Sequence, residues 1–227
     1  MATAPVPRDG RRSAVIDYTR PDWAQCPAVV IAPGPSLTQS DVDVVREARA
    51  ADRVRVVSVS NAWKFTAGWA DAYFAADRRY WRAYLGAMLK AGVPRERIAT
   101  CCNVSAKVDR LTFMRAENRP GLGTYQLATG GNSGWMGINL AFLYGSRRIY
   151  VLGLDMQRGP KGESHVDGDH VKTCNVTLNF GEWLHRIEKY AAPQLKQHGA
   201  TVINCSRATA LKCWPRSTID AELLVTA

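Results

Sequence analysis

Residues 129–156, TGGNSGWMGINLAFLYGSRRIYVLGLDM, constrain the fold more than any other stretch, because loop, helix and buried strand follow one another in a single run. Gly130 and Gly131 leave the backbone bare, Asn132 and Ser133 are capping residues, and apolar positions from Trp135 to Leu143 supply a helix that Gly145 stops. Ile149, Tyr150, Val151 and Leu152 form a short continuous apolar run, the pattern of a strand covered on both faces, as in a parallel sheet. Gly153 and Asp155 lie just past it. Ligands of open α/β sheets sit outside the carboxyl ends of strands, and a helix start flanked by glycines offers unpaired N–H groups to an anion. The stretch therefore predicts an anionic-ligand site.

The rest of the chain repeats the alternation. Val29, Val30, Ile31 and Ala32 predict a first strand that breaks at Pro33-Gly34-Pro35-Ser36, and Ser36 with Gln39 fits a capping box, which places a helix start at Ser36. Residues 53–60 predict a second strand closed by Asn61, residues 72–76 a third closed by Asp77, and residues 98–101 a short fourth. Tyr80, Trp81, Tyr84, Leu85 and Met88 fall at helical spacing and read as core rather than as a base-stacking platform. Residues 107–124, with Pro120, Gly121 and Gly123, suggest a loop crossing the site. Residues 180–198 predict one amphipathic helix through Trp183, Leu184, Ile187, Tyr190 and Leu195 despite Pro193. Residues 201–204 form the last strand, after which Ser206, Arg207 and Thr209 are candidates to complete a phosphate or sugar pocket, and a short helix closes the chain at 219–224.

At 227 residues and 46% hydrophobic, the chain suits one buried domain. That domain is expected to span residues 22–227 behind a flexible lead of residues 1–21. No apolar run approaches the roughly 20 residues of a membrane span, and the lead lacks the apolar block of a secretory signal, so a soluble, cytoplasmic protein is expected. Six cysteines without a CxxC pair read as reduced thiols rather than a zinc site. A net charge of +10, dominated by arginine, makes an anionic acceptor such as DNA a candidate partner, although charges scattered over a solvated surface give the same sum.

The segment 157–177 is long, polar and chemically rich, holding His165 and His170 beside Asp167 and Asp169. A histidine there can serve as general base with a neighbouring carboxylate to orient it, and Asp167 and Asp169 also match the acidic pairs that hold a divalent ion against a diphosphate. A polar surface loop is the remaining reading.

Six motifs in order, IAPGPSL from Ile31, SNAW from Ser60, AAD from Ala75, GGNSG from Gly130, YVLGLDM from Tyr150 and NCS from Asn204, resemble a Rossmann-like superfamily. It includes the MptE-like 6-hydroxymethylpterin diphosphokinases and the family 42 bacterial sialyltransferases. The resemblance covers about residues 28–224 and is nearest to phage-encoded members, with expected location in a phage or bacterial host cell. It implies an α/β fold, a Rossmann-like doubly wound, mostly parallel sheet of variant GT-A-like type. From the sialyltransferase branch it implies a metal-free glycosyltransferase whose nucleotide-sugar donor touches Gly34, Pro35, Ser36, Asn61, Gly131, Asn132 and Ser133, with Gly153 and Ser206 nearby, and whose base is His170, or else His165, with Asp169 beside it. From the diphosphokinase branch it implies ATP and Mg2+ in the same crevice, with Asp77, Asp155, Asp167 and Asp169 as candidate metal ligands. A non-catalytic nucleotide-binding module is the third alternative, and assembly as an oligomer is compatible with each. Ala32-Pro33 stands where the sialyltransferases carry Gly-Asn, a departure that bears on nucleotide preference.

Overall fold

The computed structural model describes residues 20–168, 171, 174 and 178–224. His170 and Asp169, and residues 1–19 of the expected lead, lie outside the described residues.

Seven strands form one wholly parallel sheet. They are β1 (Ala28–Ile31), β2 (Arg55–Val59), β3 (Ala72–Phe74), β4 (Ile98–Thr100), β5 (Thr112–Phe113), β8 (Arg148–Leu152) and β9 (Thr201–Asn204), in the order β5-β4-β3-β2-β1-β8-β9. A two-stranded ladder, β6 (Ala116–Glu117) with β7 (Leu127–Ala128), stands apart. The fold is α/β, Rossmann-like and doubly wound, as the sequence predicts. Strand β1 lies in the middle, with Val30 paired to Val57 on one side and Val151 on the other, so the order reverses between β1 and β8. That reversal opens a crevice at the carboxyl edge, because the connections leaving β1 and β8 turn to opposite faces.

The β1 residues alternate between two cores. Ala28 and Val30 join the cluster under α5 (Ser133–Leu143), α6 (Phe180–Arg186) and α7 (Ala192–Gln197), whereas Val29 and Ile31 join that under α1 (Gln39–Ala50), the short α2 (Trp63–Thr66), α3 (Arg78–Lys90) and α8 (Ile219–Leu223). Helix α5 lies directly on the sheet: a Cβ at Gly137 would stand 2.6 Å from Val59 Cγ2 and 3.1 Å from Val30 Cγ1. This close approach sets its N-terminus over the ends of β1 and β2. Among the described residues, no helix is long and apolar enough to cross a membrane.

Three local expectations are corrected. Helix α1 is capped by Thr38, whose Oγ1 accepts from Asp41 N at 3.2 Å, and not by Ser36, whose own groups are committed elsewhere. Residues 107–124 do not cross the site. They complete α4 (Asn103–Asp109), supply β5 and β6, and pack on α5 and α7, with Gly123 N on Asn139 Oδ1 at 3.0 Å and Leu122 N on Gln194 Oε1 at 2.6 Å. The single helix predicted over 180–198 is α6 and α7 joined by a π-helical turn, Ile187–Ala191. Pro193 has no N–H to donate and its ring crowds the preceding turn, and the wider turn accommodates both.

Candidate functional site

The turns leaving β1 and β8 are closed against each other. Gly34 N donates to Gly153 O at 2.8 Å, and a Cβ at Gly34 would meet that oxygen and lie 2.7 Å from Asp155 Cγ, so only glycine fits. Gly153 has φ +62°, and a Cβ there would run into Ala32 O. Asp155, 4% exposed, receives Ser36 N on Oδ2 and Ser36 Oγ on Oδ1, each at 2.7 Å. Burial raises its pKa, while the Ser36 hydrogen bonds and the charge of Arg216 pull the other way.

Helix α5 begins as the sequence predicts. Asn132 is the N-cap, its Oδ1 accepting from Trp135 N at 2.9 Å, after Gly130 and Gly131 at φ +52° and +78°. The first-turn N–H groups of Ser133 and Gly134 have no intrahelical partner and sit at the crevice wall. Trp183 of α6 covers Gly131: a Cβ at Gly131 would be 3.1 Å from Trp183 Nε1 and 3.4 Å from Arg186 Nη1.

The segment after β8 folds back over the β1 turn. Val166 N donates to Pro33 O at 2.8 Å, and Asp167 Oδ2 accepts from Asn61 Nδ2 at 3.0 Å and from Lys64 Nζ. These contacts fix His165 in the crevice, with Nδ1 2.9 Å from Ser164 Oγ. Two non-glycine residues on the same walls, Ser60 (φ +47°) and Met156 (φ +52°), hold left-handed backbone at the ends of β2 and β8. Such residues cost about 1–3 kcal/mol each and gather where geometry is functionally fixed.

The crevice comprises two cavities that share Ser60, Gly131, Asn132, Ser133 and Trp183 as a common wall. The smaller, about 180 Å³, lies over the β1 and β8 turns and contains Gly34, Pro35, Gly153, Asp155 and His165. The larger, about 570 Å³, lies beyond the end of β3 and contains Asp77, Tyr80, Asn179 and Glu182. Neither is lined by a lysine or arginine among the described residues.

The structure thus brings together Gly34, Pro35, Gly131, Asn132, Ser133, Gly153, Asp155 and His165, with Asp77 next door. Ser36, Asn61 and Ser206 stand at the same edge but line neither cavity. Ser36 holds Asp155, Asn61 holds Asp167, and Ser206 Oγ accepts from Leu154 N at 2.9 Å. Arg207 is likewise committed, to Asp41 at 2.8 and 2.9 Å. Ser60, Glu182 and Trp183 are wall residues that the sequence reading did not assign. Of the carboxylates proposed for a metal, the three among the described residues are turned to other partners: Asp77 caps α3 through Arg79 N at 2.7 Å, Asp155 binds Ser36, and Asp167 binds Asn61 and Lys64. Among the described residues, no three His, Cys, Asp or Glu side chains come close enough to hold a metal ion.

The chain matches no family model and no curated protein. Its structure is similar to that of the MAf glycosyltransferase from Magnetospirillum magneticum AMB-1, with a TM-score of 0.62 and 16% sequence identity over 89% of this chain. The chain spans 35% of that protein's length. Likeness at this identity concerns the fold, and it agrees with the Rossmann-like arrangement described above.

Proposed function

We propose that the chain is a glycosyltransferase that moves a sugar from a nucleotide-activated donor to an acceptor hydroxyl by direct displacement. The observation that carries this reading is the placement of His165 in the same small cavity as the glycine turns of β1 and β8, beside the first turn of α5. The sequence resemblance to family 42 sialyltransferases and the fold shared with the MAf glycosyltransferase support it independently.

In this reading the acceptor oxygen attacks the anomeric carbon, the bond from that carbon to the donor phosphate oxygen breaks, and the hydroxyl proton passes to His165. When His165 Nδ1 donates to Ser164 Oγ, Nε2 is the basic nitrogen that takes the proton. The departing phosphate gains negative charge, which the first-turn N–H groups of Ser133 and Gly134 and the positive end of α5 offset. The engaged carboxylates Asp155 and Asp167 do not fit a resident divalent ion, so no step runs through one. The acceptor we propose is anionic, in keeping with the +10 charge, with DNA one candidate beside surface polysaccharide and protein hydroxyls.

Thermal shift with CMP, UDP, GDP and ATP, each with and without Mg2+, tests the reading. Stabilisation by CMP or a nucleoside diphosphate without metal supports sugar transfer. A response to ATP that requires Mg2+ transfers support to the diphosphokinase alternative, and no response to any of them removes both.

A further inference from the structure

Resting on the reading above, we infer that the larger cavity is the nucleoside subsite, and that the donor lies across the shared wall with its sugar in the smaller cavity. Three observations fix this direction. First, a cavity of about 180 Å³ falls below the roughly 300–1,000 Å³ of pockets that enclose whole ligands, so a nucleotide-sugar must extend beyond it. The adjoining cavity of about 570 Å³ has room for the base and ribose.

Second, the anion-binding feature stands between the two. Gly131, Asn132 and Ser133 belong to both cavities, so phosphate seated at the start of α5 has one cavity on each side. His165 lies only on the smaller side, which makes that the side of the reacting carbon. The nucleoside is left the other.

Third, the chemistry of the larger cavity suits an uncharged, hydroxyl-bearing aromatic ligand. Its charged side chains among the described residues are the carboxylates Asp77 and Glu182, which accept hydrogen bonds and would repel a phosphate. Each is held by arginines outside the lining: Arg79 Nη2 is 3.4 Å from Asp77 Oδ2, and Arg186 pairs with Glu182 Oε1. Asn179 Nδ2 binds the other Glu182 oxygen at 2.7 Å. Carboxylates so oriented keep lone pairs to accept from a ribose diol. Trp183 stands at the junction, braced edge-to-face by Phe180 with ring centroids 5.7 Å apart, and gives the base a rigid partner.

Titration calorimetry of the full chain with UDP, CMP and GDP, and with uridine, cytidine and guanosine, selects the base that binds, and 2′-deoxy forms of that ligand complete the test. Base stacking on an aromatic residue contributes about 1–3 kcal/mol, so Trp183→Ala should weaken the nucleoside and its nucleotide alike by about five- to 150-fold, and Trp183→Phe should restore most of the loss. Asp77→Asn keeps a residue able to cap α3, and Glu182→Gln leaves Asn179, the N-cap of α6, in place. The combined variant should melt like the wild type yet lose the preference for ribose over 2′-deoxyribose. Unchanged nucleoside binding in Trp183→Ala, or an effect of the carboxylate pair on a UDP-hexose but not on UDP, would overturn the assignment. Nucleoside binding that meets these expectations without any sugar transfer would keep this subsite and sink the glycosyltransferase reading. Transfer with nucleoside affinity indifferent to all three positions would do the reverse.

Discussion

Ser36 engages both carboxylate oxygens of Asp155, one through its backbone N–H and the other through its hydroxyl, each at 2.7 Å, and so ties the turn after β1 to the turn after β8. Hydrogen bonds to a buried charge contribute about 1.5–3 kcal/mol, so Ser36→Ala should lower stability by roughly that amount, and Asp155→Asn by less, because it also removes the cost of burying the charge. Because they remove the same contact, the double variant should lose less than the sum, by at least about 0.5 kcal/mol, in urea denaturation. Additive losses would mean that the two residues act separately.

The same carboxylate makes stability depend on pH. Burial raises Asp155 above the usual 3.8, against the Ser36 hydrogen bonds and Arg216. Between 3.8 and the raised folded value, the native state holds more of this proton than the unfolded chain. Its contribution is therefore fully present below 3.8 and is lost as pH rises through the folded value. The unfolding free energy of the wild type relative to Asp155→Asn should rise on acidification through that window and stay level above it. A relative loss on acidification would place the folded value below the unfolded one.

Glycine replacements should divide by sign. Gly34→Ala forces a methyl against Gly153 O and the Asp155 carboxyl, and overpacking of this kind costs about 1–3 kcal/mol. Gly153→Ala adds a left-handed backbone at φ +62°, about 1–2 kcal/mol more. Gly86, on the exposed face of α3, has nothing within 4 Å of a new Cβ, so Gly86→Ala should stabilise by about 0.5–1 kcal/mol. Chemical denaturation of the three variants decides it.

The contrast between Gly34 and Ser36 shows what the sequence could and could not reveal. Buried parallel strands are apolar runs ended by polar or glycine residues, so β1, β2, β3, β8 and β9, and the crevice at their ends, were legible. The role of Ser36 was not: it looked like a local cap, but its partner Asp155 is 119 residues away. Trp183 was hidden for a related reason, since the apolar face of an amphipathic helix looks the same whether it covers a sheet or walls a cavity. Residues 107–124 form strands of two residues each, too short for any periodicity to appear.

Asp167 should matter for the loop more than for the fold. It is gripped by Asn61 and Lys64 while its neighbour Val166 hangs from Pro33, so Asp167→Ala releases one of the anchors beside His165. Hydrogen exchange at Val166 should accelerate and kcat/KM should fall, with Tm within about 2 °C of the wild type, since a 1 kcal/mol change moves Tm by about 2–4 °C at this chain length. A fall in Tm without faster local exchange would show that Asp167 supports the fold instead.

His165 and His170 carry the sharpest separation. Loss of a general base removes about 10²–10⁴ in rate while leaving ground-state contacts in place. His165→Ala should therefore reduce kcat by at least about a hundredfold and leave the nucleotide Kd within about twofold, because the phosphate and base are held at the start of α5 and beyond it. Ser164→Ala, which removes the partner of Nδ1, should produce a smaller loss of kcat with KM unchanged. His170→Ala is the necessary comparison, since the motif resemblance favours His170, which lies outside the described residues, while His165 lines the small cavity. Full activity in His165→Ala together with loss of activity in His170→Ala would move the base to His170, and activity surviving both substitutions would leave the acceptor hydroxyl without a histidine to take its proton.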